Sequence, residues 1–482
     1  MYLLGIDLGT TGCKSMVFDA QGSILGDHYI EYNLIFTPDG VEQDADEWWL
    51  HTRTAIRAAI AKAGIDGRQI AGLSVSSQGI AFVPVDRSGN TLMNAISWYD
   101  ARAGEEAARL REDYDMMDLC GRTGRCPGSL VFTQVMWLKK NRPEVYEKTW
   151  KFLMGMDFLL YRLCGAAATD YSMASGTLCY DIAERSWIGS LFDRYGIDQG
   201  KFPAIGCHGD TIGTVLPEVA VELGLSDKAR VVLGLQDQKC AALGAGIDEG
   251  MVTVSLGTAS AISSLTGQPL LDRSQQLFCH GFDRRRWILE SCVATSGAAL
   301  KWVRNSFFPD LTYAAMDSLA EAAPPGARGM FFYPLLSPGK RTSMPGLLAG
   351  MSLDSTRGDI ARSVLEGIAF EIAGLADAHR TINEQVKHGD SLRVFGGGAA
   401  SPVWCQIIAD ITGDAVLVPQ TRETGCLGAG MCAGVGAGLY RDFSEARKHF
   451  VQIRTRYEPD KYNHAKYREI RSRYEALRQK FD

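Results

Sequence analysis

The residues best suited to phosphate chemistry stand near the N-terminus, in Asp7-Leu8-Gly9-Thr10-Thr11-Gly12-Cys13-Lys14. The glycines leave backbone amides open to a ligand, the threonine hydroxyls can donate to phosphate oxygens, and the lysine can reach β- and γ-phosphates. A carboxylate such as that of Asp7 can hold Mg²⁺ through water. The octet is not a Walker A loop, because G-x-x-x-x-G-K-[ST] is absent. It predicts a polyphosphate site, with a tight hairpin carrying a surface lysine as the alternative.

Asp237 is the best-placed candidate for a general base. It stands in VVLGLQDQKCAALGAG, after a predicted strand and at the predicted start of a helix. The helix dipole favours a carboxylate at that position and keeps it ionised at neutral pH. An ionised carboxylate within reach of a hydroxyl can take its proton as a phosphoryl group arrives. A helix N-cap, for which Asp is also well suited, is the alternative interpretation.

A third group of polar residues is typical of a site for a polyhydroxyl ligand. Ser77 and Gln78 follow a predicted strand in SSQGIAF, and Asp100 and Arg102 lie in WYDAR with Trp98 as an apolar wall. Paired donors and acceptors beside an apolar surface suit a sugar or a polyol. A turn with a surface salt bridge explains the same residues without any ligand.

A repeat at half the chain length predicts two related domains that position these residues. Residues 2–17 and 250–265 both show an apolar strand, Leu-Gly-Thr and a second apolar strand, at an offset of 248 residues. Each segment predicts a β-hairpin with a short glycine turn. A solenoid has a far shorter period, so the repeat favours two domains whose facing hairpins hold one polyanion.

Alternating strands and helices around the hairpins predict an α/β fold. The predicted strands are 70–75, 80–85 and 230–235, and the predicted helices are 46–62, about 101–112 and 359–378. The chain ends in a helix with apolar residues at spacings of three and four, namely Tyr467, Ile470, Tyr474, Leu477 and Phe481. This seam is short for a coiled coil, so we expect the helix to pack on its own chain, folding back on the first domain.

Composition excludes several classes of function. The 482 residues carry a formal net charge of −6 without a long basic run, so we expect no nucleic-acid partner. The N-terminus lacks the pattern of a signal peptide, and no stretch of about 18 apolar residues occurs. We therefore expect a cytoplasmic protein without a membrane partner.

The cysteines and histidines predict no disulfide framework and no structural metal site. The twelve cysteines are scattered without a CxxC pair, and the eight histidines occur singly. A chain of this length can bury a core without disulfides, so we expect reduced thiols. Cys120 and Cys126 come nearest to a pair.

Taken together, these segments resemble the FGGY carbohydrate kinases, within the actin-like ATPase superfamily. The resemblance covers essentially the whole chain through GIDLGTT at 5–11, WYDAR at 98–102, TDYSMAS at 169–175, GLQDQ at 234–238, SLGTAS at 255–260, SGAALKW at 296–302, FGGGAASPVWCQIIAD at 395–410 and ETGCLGAGMCAGVGAGLY at 423–440. The resemblance implies two RNase H-like domains with the active site in the interdomain cleft, and transfer of the γ-phosphate of ATP to a sugar hydroxyl.

The resemblance also implies roles for individual residues. Asp237 corresponds to the general base, and Asp7 to the position that holds Mg²⁺. The residues implied to bind the sugar are Ser77, Gln78, Trp98, Asp100, Arg102, Asp237 and Gln238. The residues implied to bind ATP are Gly9, Thr10, Thr11 and Lys14 in the first hairpin, and Gly257, Thr258, Gly297, Lys301, Gly397, Gly398 and Ser401 in the second half.

Domain limits and assembly follow from the repeat and the resemblance. We expect a domain over 1–245 that carries the sugar site and the first phosphate hairpin, and a nucleotide-binding domain over 246–440. A helical segment over 441–482 is expected to pack back on the body. A homodimer is implied by the resemblance alone.

The resemblance indicates the substrate less directly than it indicates the reaction. The chain looks closest to the xylulokinase-like members, which favours a ketose, and most of all a pentulose such as xylulose. Those members typically carry Gln-Met-His-Gly where this chain has Ser76-Ser77-Gln78-Gly79, and glycerol kinases carry Arg-Glu where it has Ser77-Gln78. A polyol or glycerol-type kinase therefore stays open. From other classes, an actin-like ATP-driven conformational protein and a non-catalytic sugar-binding regulator are the alternatives.

Overall fold

The computed structural model describes residues 1–274, 276–336, 346–387, 389 and 391–481. These residues form two compact units. The first unit comprises Met1–Gly246, Thr266–Ile288 and Glu423–Val451, and the second comprises Ile247–Leu265, Leu289–Arg422 and Gln452–Asp482. Each unit therefore contains segments that are far apart in the sequence.

Strands and helices alternate along most of the described chain. The strands are β1 (Tyr2–Leu8), β2 (Gly12–Phe18), β3 (Ile24–Glu31), β4 (Ile35–Thr37), β5 (Gly40–Gln43), β6 (Ile70–Ser77), β7 (Phe82–Val85), β8 (Ala95–Ile96), β9 (Lys151–Met154), β10 (Ala168–Asp170), β11 (Tyr180–Asp181), β12 (Ser186–Trp187), β13 (Ala204–Gly206), β14 (Thr211–Thr214), β15 (Arg230–Val232), β16 (Val252–Leu256), β17 (Ser260–Thr266), β18 (Phe278–Gly281), β19 (Trp287–Val293), β20 (Phe331–Tyr333), β21 (Leu347–Ala349), β22 (Leu392–Phe395), β23 (Val416–Pro419) and β24 (Ile453–Tyr457). The helices are α1 (Ala45–Ala63), α2 (Gly104–Asp113), α3 (Met116–Thr123), α4 (Val131–Asn141), α5 (Pro143–Lys148), α6 (Gly155–Cys164), α7 (Tyr171–Ser175), α8 (Gly189–Tyr195), α9 (Pro217–Leu223), α10 (Asp237–Gly244), α11 (Gly297–Phe307), α12 (Tyr313–Ala322), α13 (Arg357–Ile382), α14 (Pro402–Thr412), α15 (Thr424–Gly436), α16 (Phe443–Phe450) and α17 (Lys461–Arg478).

The main sheet of the first unit has the strand order β14-β15-β6-β1-β2-β3. Strand β1 pairs antiparallel with β2 and parallel with β6, which in turn pairs parallel with β15. Leu4, Ile6 and Leu8 are fully buried, which explains why β1 lies in the middle of the sheet. The parallel strands β1, β6 and β15 end at the same edge of the sheet, and ligands of α/β folds bind at such edges.

In the second unit, six strands of a seven-stranded sheet repeat this topology in the order β19-β17-β16-β22-β23-β24. Here β16 pairs antiparallel with β17 and parallel with β22, β22 pairs parallel with β23, and β23 pairs antiparallel with β24. The two predicted hairpins are confirmed as β1–β2 and β16–β17. The half-length repeat in the sequence thus corresponds to a repeated sheet topology.

The packing of α10 on α15 requires glycine within the first unit. A Cβ built on Gly428 would stand 2.1 Å from the Cys240 carbonyl oxygen, and one on Gly244 would stand 2.0 Å from the Thr424 carbonyl oxygen. The two helix backbones therefore approach as closely as only glycine allows. Since α10 begins at Asp237, this contact holds that residue in place.

The predicted helices and strands are found with small shifts at their ends. Helix 359–378 is α13, which runs over Arg357–Ile382 behind a Thr356 capping box. Strand 230–235 is shorter than predicted, since β15 ends at Val232 and the Leu233 N–H donates to the Asp210 carbonyl oxygen at 2.9 Å.

The C-terminal helix packs on its own chain, but in the second unit. The Tyr467 hydroxyl donates to Glu366 at 2.6 Å and accepts from Arg362 at 2.7 Å, and Ile470 and Tyr474 join the same core. The expectation that α17 folds back on the first domain is therefore wrong, because its aromatic face packs in the core that contains the long helix α13.

Cys120 and Cys126 form a disulfide, which corrects the expectation of reduced thiols for this pair. A turn at Gly124, with φ of +73°, follows α3 and brings the two Cα atoms within 4.8 Å. The other ten cysteines all lie among the described residues and form no disulfide there.

Membrane-spanning helices and clusters of metal-ligating side chains are two features that the described residues do not show. Over those residues, no helix combines the length and the apolar character needed to cross a bilayer. Among the same residues, no group of three or more His, Cys, Asp or Glu side chains is arranged to hold a metal ion.

Candidate active site

The first hairpin carries a cavity of about 300 Å³ that suits a phosphate group. It is lined by Asp7, Gly9, Thr11, Gly12, Lys14, Tyr29 and Glu423. The Gly9 N–H donates to the Gly12 carbonyl oxygen at 2.8 Å and closes the three-residue turn between β1 and β2. The turn holds a carboxylate, a lysine and glycine backbone around one small space.

Asp7 lies opposite Lys14 in the register of β1 with β2 and next to Ser76 of β6. The Ser76 hydroxyl donates to Asp7 Oδ1 at 2.7 Å. Burial raises the pKa of Asp7 to about 6, the Ser76 hydrogen bond opposes that rise, and the negative charge of Glu423 adds to it. Asp7 is therefore ionised at neutral pH at an energetic cost to the fold.

Replacing Asp7 with asparagine is expected to stabilise the metal-free protein at pH 7.5, by up to about 3 kcal/mol, because one pKa unit corresponds to about 1.4 kcal/mol. The folded pKa of about 6 exceeds the ordinary value of 3.8, so the stability that Asp7 contributes falls as the pH rises from about 4 to 6. The variant does not titrate there, so its advantage should shrink as the pH falls through 6. Urea unfolding in EDTA at several pH values measures this.

The matched control for that experiment is Asp227→Asn, since Asp227 is exposed. The control should leave the urea midpoint unchanged at each pH. A D7N protein that is less stable than the wild type by the same amount at pH 7.5 and pH 5 would contradict the assignment of a buried, costly carboxylate.

Lys14 pairs with Glu423 across the cavity, with 2.7 Å between the Lys14 Nζ and a carboxylate oxygen. The ammonium also lies 5.6 Å from the centre of the Tyr29 ring. Glu423 immediately precedes α15 and its side chain is 44% exposed. A phosphate in the cavity would therefore compete with an exposed carboxylate for the lysine, at a small energetic cost.

Asp237 is the first residue of α10, so the N-cap interpretation is not what the fold shows; the N-cap is Gln236. Asp237 Oδ1 accepts from the Gln238 N–H at 2.7 Å and from the Gln236 side-chain amide. These bonds fix the carboxylate at the N-terminus of the helix, where the dipole favours its charge.

Three strand ends bring the first hairpin, Gln78 and Asp237 together. The Gln78 N–H donates to the Leu8 carbonyl oxygen at 2.7 Å, and the Ser77 N–H donates to the Leu235 carbonyl oxygen at 3.3 Å. Ser77, the last residue of β6, forms a parallel bridge with Gln236, which lies beyond the end of β15. The carboxylate of Asp237 thus lies at the same edge of the sheet as the phosphate turn.

Side-chain amides form a short polar network at this edge. Gln78 Nε2 donates to Gln43 Oε1 at 3.0 Å, and Gln43 Nε2 donates to the Thr10 carbonyl oxygen at 2.8 Å. The Oε1 atoms of Gln78 and Gln236 are buried without a hydrogen-bond partner among the described residues. Buried acceptors without donors are what the hydroxyls of a sugar would satisfy.

Three further sugar-binding candidates bond to other groups of the protein. Asp100 and Arg102 form a buried pair, with Arg102 Nη2 at 2.9 Å from Asp100 and 3.0 Å from Glu42. Ser77 accepts from the Met156 N–H at 2.9 Å at the start of α6. These three residues are held by protein partners in the structure.

Trp98 joins the sugar candidates to the phosphate turn. Its indole N–H donates to the Thr10 hydroxyl at 2.9 Å, and its ring stacks on Tyr99 with centroids 3.9 Å apart. The Trp98 side chain is 40% exposed, so one face of the ring is open to a ligand.

The second hairpin contacts the start of α11 within the second unit. The Gly297 N–H donates to the Gly257 carbonyl oxygen at 2.9 Å, and the Ala298 N–H donates to the Thr258 carbonyl oxygen at 3.0 Å. A Cβ on Gly297 would stand 2.4 Å from that Gly257 oxygen, which explains the glycine. Lys301 follows one turn later on α11 and is exposed.

The glycine-rich loop after β22 contacts the end of β16 in the same unit. A Cβ on Gly398 would stand 2.8 Å from Leu256 Cβ, whereas Gly397 has open space around it. Ser401 caps α14, since its hydroxyl accepts from the Trp404 N–H at 3.1 Å. Four candidates of the second half therefore lie around the end of β16, namely Gly257, Thr258, Gly297 and Gly398.

Sequence reasoning missed Gln236 and Glu423 as parts of the site. The side-chain amide of Gln236 donates to Asp237. The same amide nitrogen lies close to Gly79, since a Cβ built on that glycine would stand 3.0 Å from it. Both residues lie inside motifs that the sequence showed, GLQDQ and ETGCLG. The sequence could have indicated Gln236 because it directly precedes Asp237, and Glu423 because it directly precedes a glycine-rich helix.

Family comparison covers most of the chain. Residues 2–244 match the N-terminal domain of the FGGY family of carbohydrate kinases, and residues 252–437 match its C-terminal domain. The chain therefore belongs to the FGGY family of carbohydrate kinases. It is a sugar kinase with the two-domain fold of that family, and sugar kinases of the family use ATP as a substrate.

Individual relatives match along nearly their full length. The xylulose kinase of Bacillus subtilis (strain 168) is 29% identical over 484 residues, which are 99% of this chain and 96% of that protein. The ligand-bound xylulose kinase from Lactobacillus acidophilus superposes with a TM-score of 0.91 at 26% identity, covering 99% of this chain and 98% of that one. The gluconate kinase from Lactobacillus acidophilus gives 0.90 at 26% identity, covering 99% and 97%.

Proposed function

We propose that this kinase phosphorylates a ketose, and most of all a pentulose such as xylulose, with Asp237 as the general base. One observation carries the proposal: the phosphate turn, Gln78 and Asp237 lie together at one edge of the sheet. The turn follows β1, Gln78 follows β6, and Asp237 follows β15. The names of the two xylulose kinases among the relatives support a pentulose.

In the proposed reaction, the sugar hydroxyl oxygen attacks the γ-phosphorus of ATP. The bond from that phosphorus to the β–γ bridging oxygen breaks, ADP leaves, and the hydroxyl proton passes to Asp237. The amides of Gln236 and Gln238 hold the carboxylate toward one orientation. Gln78, Gln238 and the open face of Trp98 are proposed sugar contacts, with the buried Asp100–Arg102 pair and Ser77 behind them.

The proposed ATP contacts lie in both halves of the sequence. In the first hairpin they are Gly9, Thr10, Thr11 and Lys14, and in the second half they are Gly257, Thr258, Gly297, Lys301, Gly397, Gly398 and Ser401. Lys14 would leave Glu423 for a phosphate oxygen. A homodimer and the domain limits at 245 and 440 stay proposals that the family resemblance supports.

The residues around the first hairpin fit Mg²⁺. The ion prefers one or two carboxylates together with phosphate oxygens and water, and Asp7 offers such a carboxylate in a small cavity. Bound there, Mg²⁺ would neutralise charge on the phosphates of ATP. Asp7, ionised above about pH 6, would hold it through water.

A coupled ADP-release assay with Mg-ATP over pentuloses, hexuloses, pentitols, glycerol and aldoses tests the proposal. Turnover of one pentulose well above the rate without sugar is the expected result. Turnover of glycerol or a pentitol alone would move the substrate class to polyols. Equal ADP release with and without every sugar would contradict the proposed function.

A further inference from the structure

Gln43 lies between the phosphate turn and the sugar candidates, and it has no role in the mechanism above. It is the last residue of β5, and its exposed fraction is 1%. Its side chain bonds at both ends. Nε2 donates to the Thr10 carbonyl oxygen at 2.8 Å, and Oε1 accepts from Gln78 Nε2 at 3.0 Å. Gln43 therefore joins the backbone of the phosphate turn to the side chain of a proposed sugar contact.

The Thr10 carbonyl group determines which way the amide of Gln43 points. A carbonyl oxygen accepts hydrogen bonds and never donates them, so the end of the amide that faces it must be the NH₂ group. The opposite orientation would place two acceptors 2.8 Å apart and leave both without a donor, which is costly inside a protein. The amide oxygen of Gln43 must therefore face Gln78.

Gln43 in turn orients the amide of Gln78. Since Gln43 presents an oxygen, Gln78 must turn its NH₂ group toward it. The Oε1 atom of Gln78 then points away from Gln43, and it is buried with no hydrogen-bond partner among the described residues. The backbone holds the residue as well, because the Gln78 N–H donates to the Leu8 carbonyl oxygen at 2.7 Å. A group that binds at Gln78 Oε1 must therefore be a donor.

Gln236 is oriented in the same way, but by a different group. Its Nε2 atom donates to Asp237 Oδ1, and an ionised carboxylate accepts hydrogen bonds without donating any. Its Oε1 atom is therefore turned away from Asp237, and it is also buried without a partner among the described residues. The bridge between Gln236 and Ser77 places it beside the segment that carries Gln78. The site thus offers two acceptors, of which Gln43 orients only one.

We propose that Gln43 is a positioning residue that makes the site selective for a substrate hydroxyl at Gln78. The hydrogen bonds from Gln78 through Gln43 to the Thr10 carbonyl all run in one direction, so the amide of Gln78 cannot reverse to suit another group. A carbonyl, a carboxylate or a fluorine at that position would place an acceptor against Gln78 Oε1. A site built to bond a hydroxyl rejects analogues that lack it, because its own buried polar group is then left unpaired.

This selectivity rests on the proposed function, in which Gln78 contacts the sugar and Asp237 takes the proton of the reacting hydroxyl. It adds that a second, non-reacting hydroxyl donates to Gln78, and that the carbonyl of the ketose lies elsewhere. Without the amide of Gln43, nothing would fix the orientation of Gln78, and its NH₂ group could face the substrate. Replacing Gln43 should therefore change which substrate groups are accepted, rather than only weaken binding.

The test compares kcat/KM for a pentulose substrate, xylulose in the first instance, with kcat/KM for its deoxyfluoro derivative at each non-reacting hydroxyl, in the wild type and in Gln43→Leu. Fluorine is close to a hydroxyl in size but cannot donate. In the wild type, fluorine at either of two positions should lower kcat/KM about 10–100-fold, the range for an acceptor left unpaired. In Q43L, the loss at one position should shrink to less than about 3-fold, while the loss at the other, which belongs to Gln236, should persist.

Gln406→Leu is the matched control. Gln406 is half-buried on α14, and its Nε2 atom donates to Asp410 Oδ1 and to the Glu458 carbonyl oxygen, each at 2.8 Å. The control therefore also removes an amide that bonds to two groups of the protein, and it should leave every ratio between sugar and fluorinated sugar as in the wild type. If Q43L lowers kcat/KM for the pentulose and for all its derivatives by one common factor, Gln43 has a structural role only and the inference is overturned.

Calorimetric binding of the same sugars without ATP separates this inference from the proposed function. Turnover of the pentulose with less than about 3-fold loss for every fluorine would overturn the selectivity and leave the ketose kinase standing. If no sugar is phosphorylated, but the wild type binds the pentulose better than a fluorinated derivative and Q43L removes that difference, the selectivity is supported and the proposed function fails. A wild type that binds no sugar at all would overturn both.

Discussion

Asp237→Asn is expected to lower kcat by about 10²–10⁴-fold, the usual contribution of a positioned general base. Asparagine keeps the shape of the side chain and an oxygen that can accept from the Gln238 N–H and the Gln236 amide. It lacks a basic oxygen to take the proton of the sugar hydroxyl. The start of α10 should therefore stay in place while the reaction loses its proton acceptor. ADP release at saturating ATP and sugar measures the effect.

Circular dichroism and urea unfolding should show that D237N is folded, with Asp227→Asn as the control for an exposed carboxylate. The control should keep both kcat and the urea midpoint. A D237N enzyme with near-normal turnover would show that another group accepts the proton. A midpoint that falls together with kcat would show that the variant acts through the fold instead.

Local residue patterns were sufficient for the framework of the site. The Leu-Gly-Thr repeat predicted two hairpins, and both are present with three-residue turns after Leu8 and Leu256. The apolar strand pattern and the glycine between the strands determine such a turn within about ten residues of sequence. No contact between distant segments is therefore needed to predict it. The carboxylate of Asp237 was likewise predictable, because a polar residue after an apolar strand marks a strand end.

Contacts between distant segments could not be read from the sequence. Arg102 pairs with Asp100 and with Glu42, which is 60 residues away, and this burial makes the pair part of the protein's own packing. Gln236 becomes a buried acceptor only because its side chain lies over Gly79. Such relations depend on how strands order themselves in a sheet, which local pattern does not encode.

The division of the chain into units was a second feature that the sequence could not predict, because some segments belong to a different unit from their neighbours in the sequence. Residues 266–288 and 423–451 belong with the first unit although the second hairpin lies before them. Helix α17 shows the same difficulty, since its apolar seam predicts burial but does not say against which core. The Cys120–Cys126 disulfide depends on a turn at Gly124 that follows α3, a local geometry that Cys spacing alone left open.

Gly428→Ala is expected to lower the free energy of unfolding by about 3 kcal/mol, the upper part of the range for overpacking. The added methyl would stand 2.1 Å from the Cys240 carbonyl oxygen, and backbone cannot move aside as a side chain can. Helices α10 and α15 must then separate. Since α10 begins at Asp237, kcat should also fall, because a displacement of about 1 Å in a reacting group can cost about 10²-fold in rate.

Gly104→Ala is the matched control, since a Cβ on Gly104 at the start of α2 meets nothing within 4 Å. It should leave both the urea midpoint and kcat unchanged, or raise the midpoint slightly through the better helix propensity of alanine. Wild-type stability in G428A would show that α10 and α15 can separate without loss. A lower midpoint with normal kcat would show that the start of α10 is held by the sheet edge, through the bridge between Ser77 and Gln236, rather than by the glycine contact.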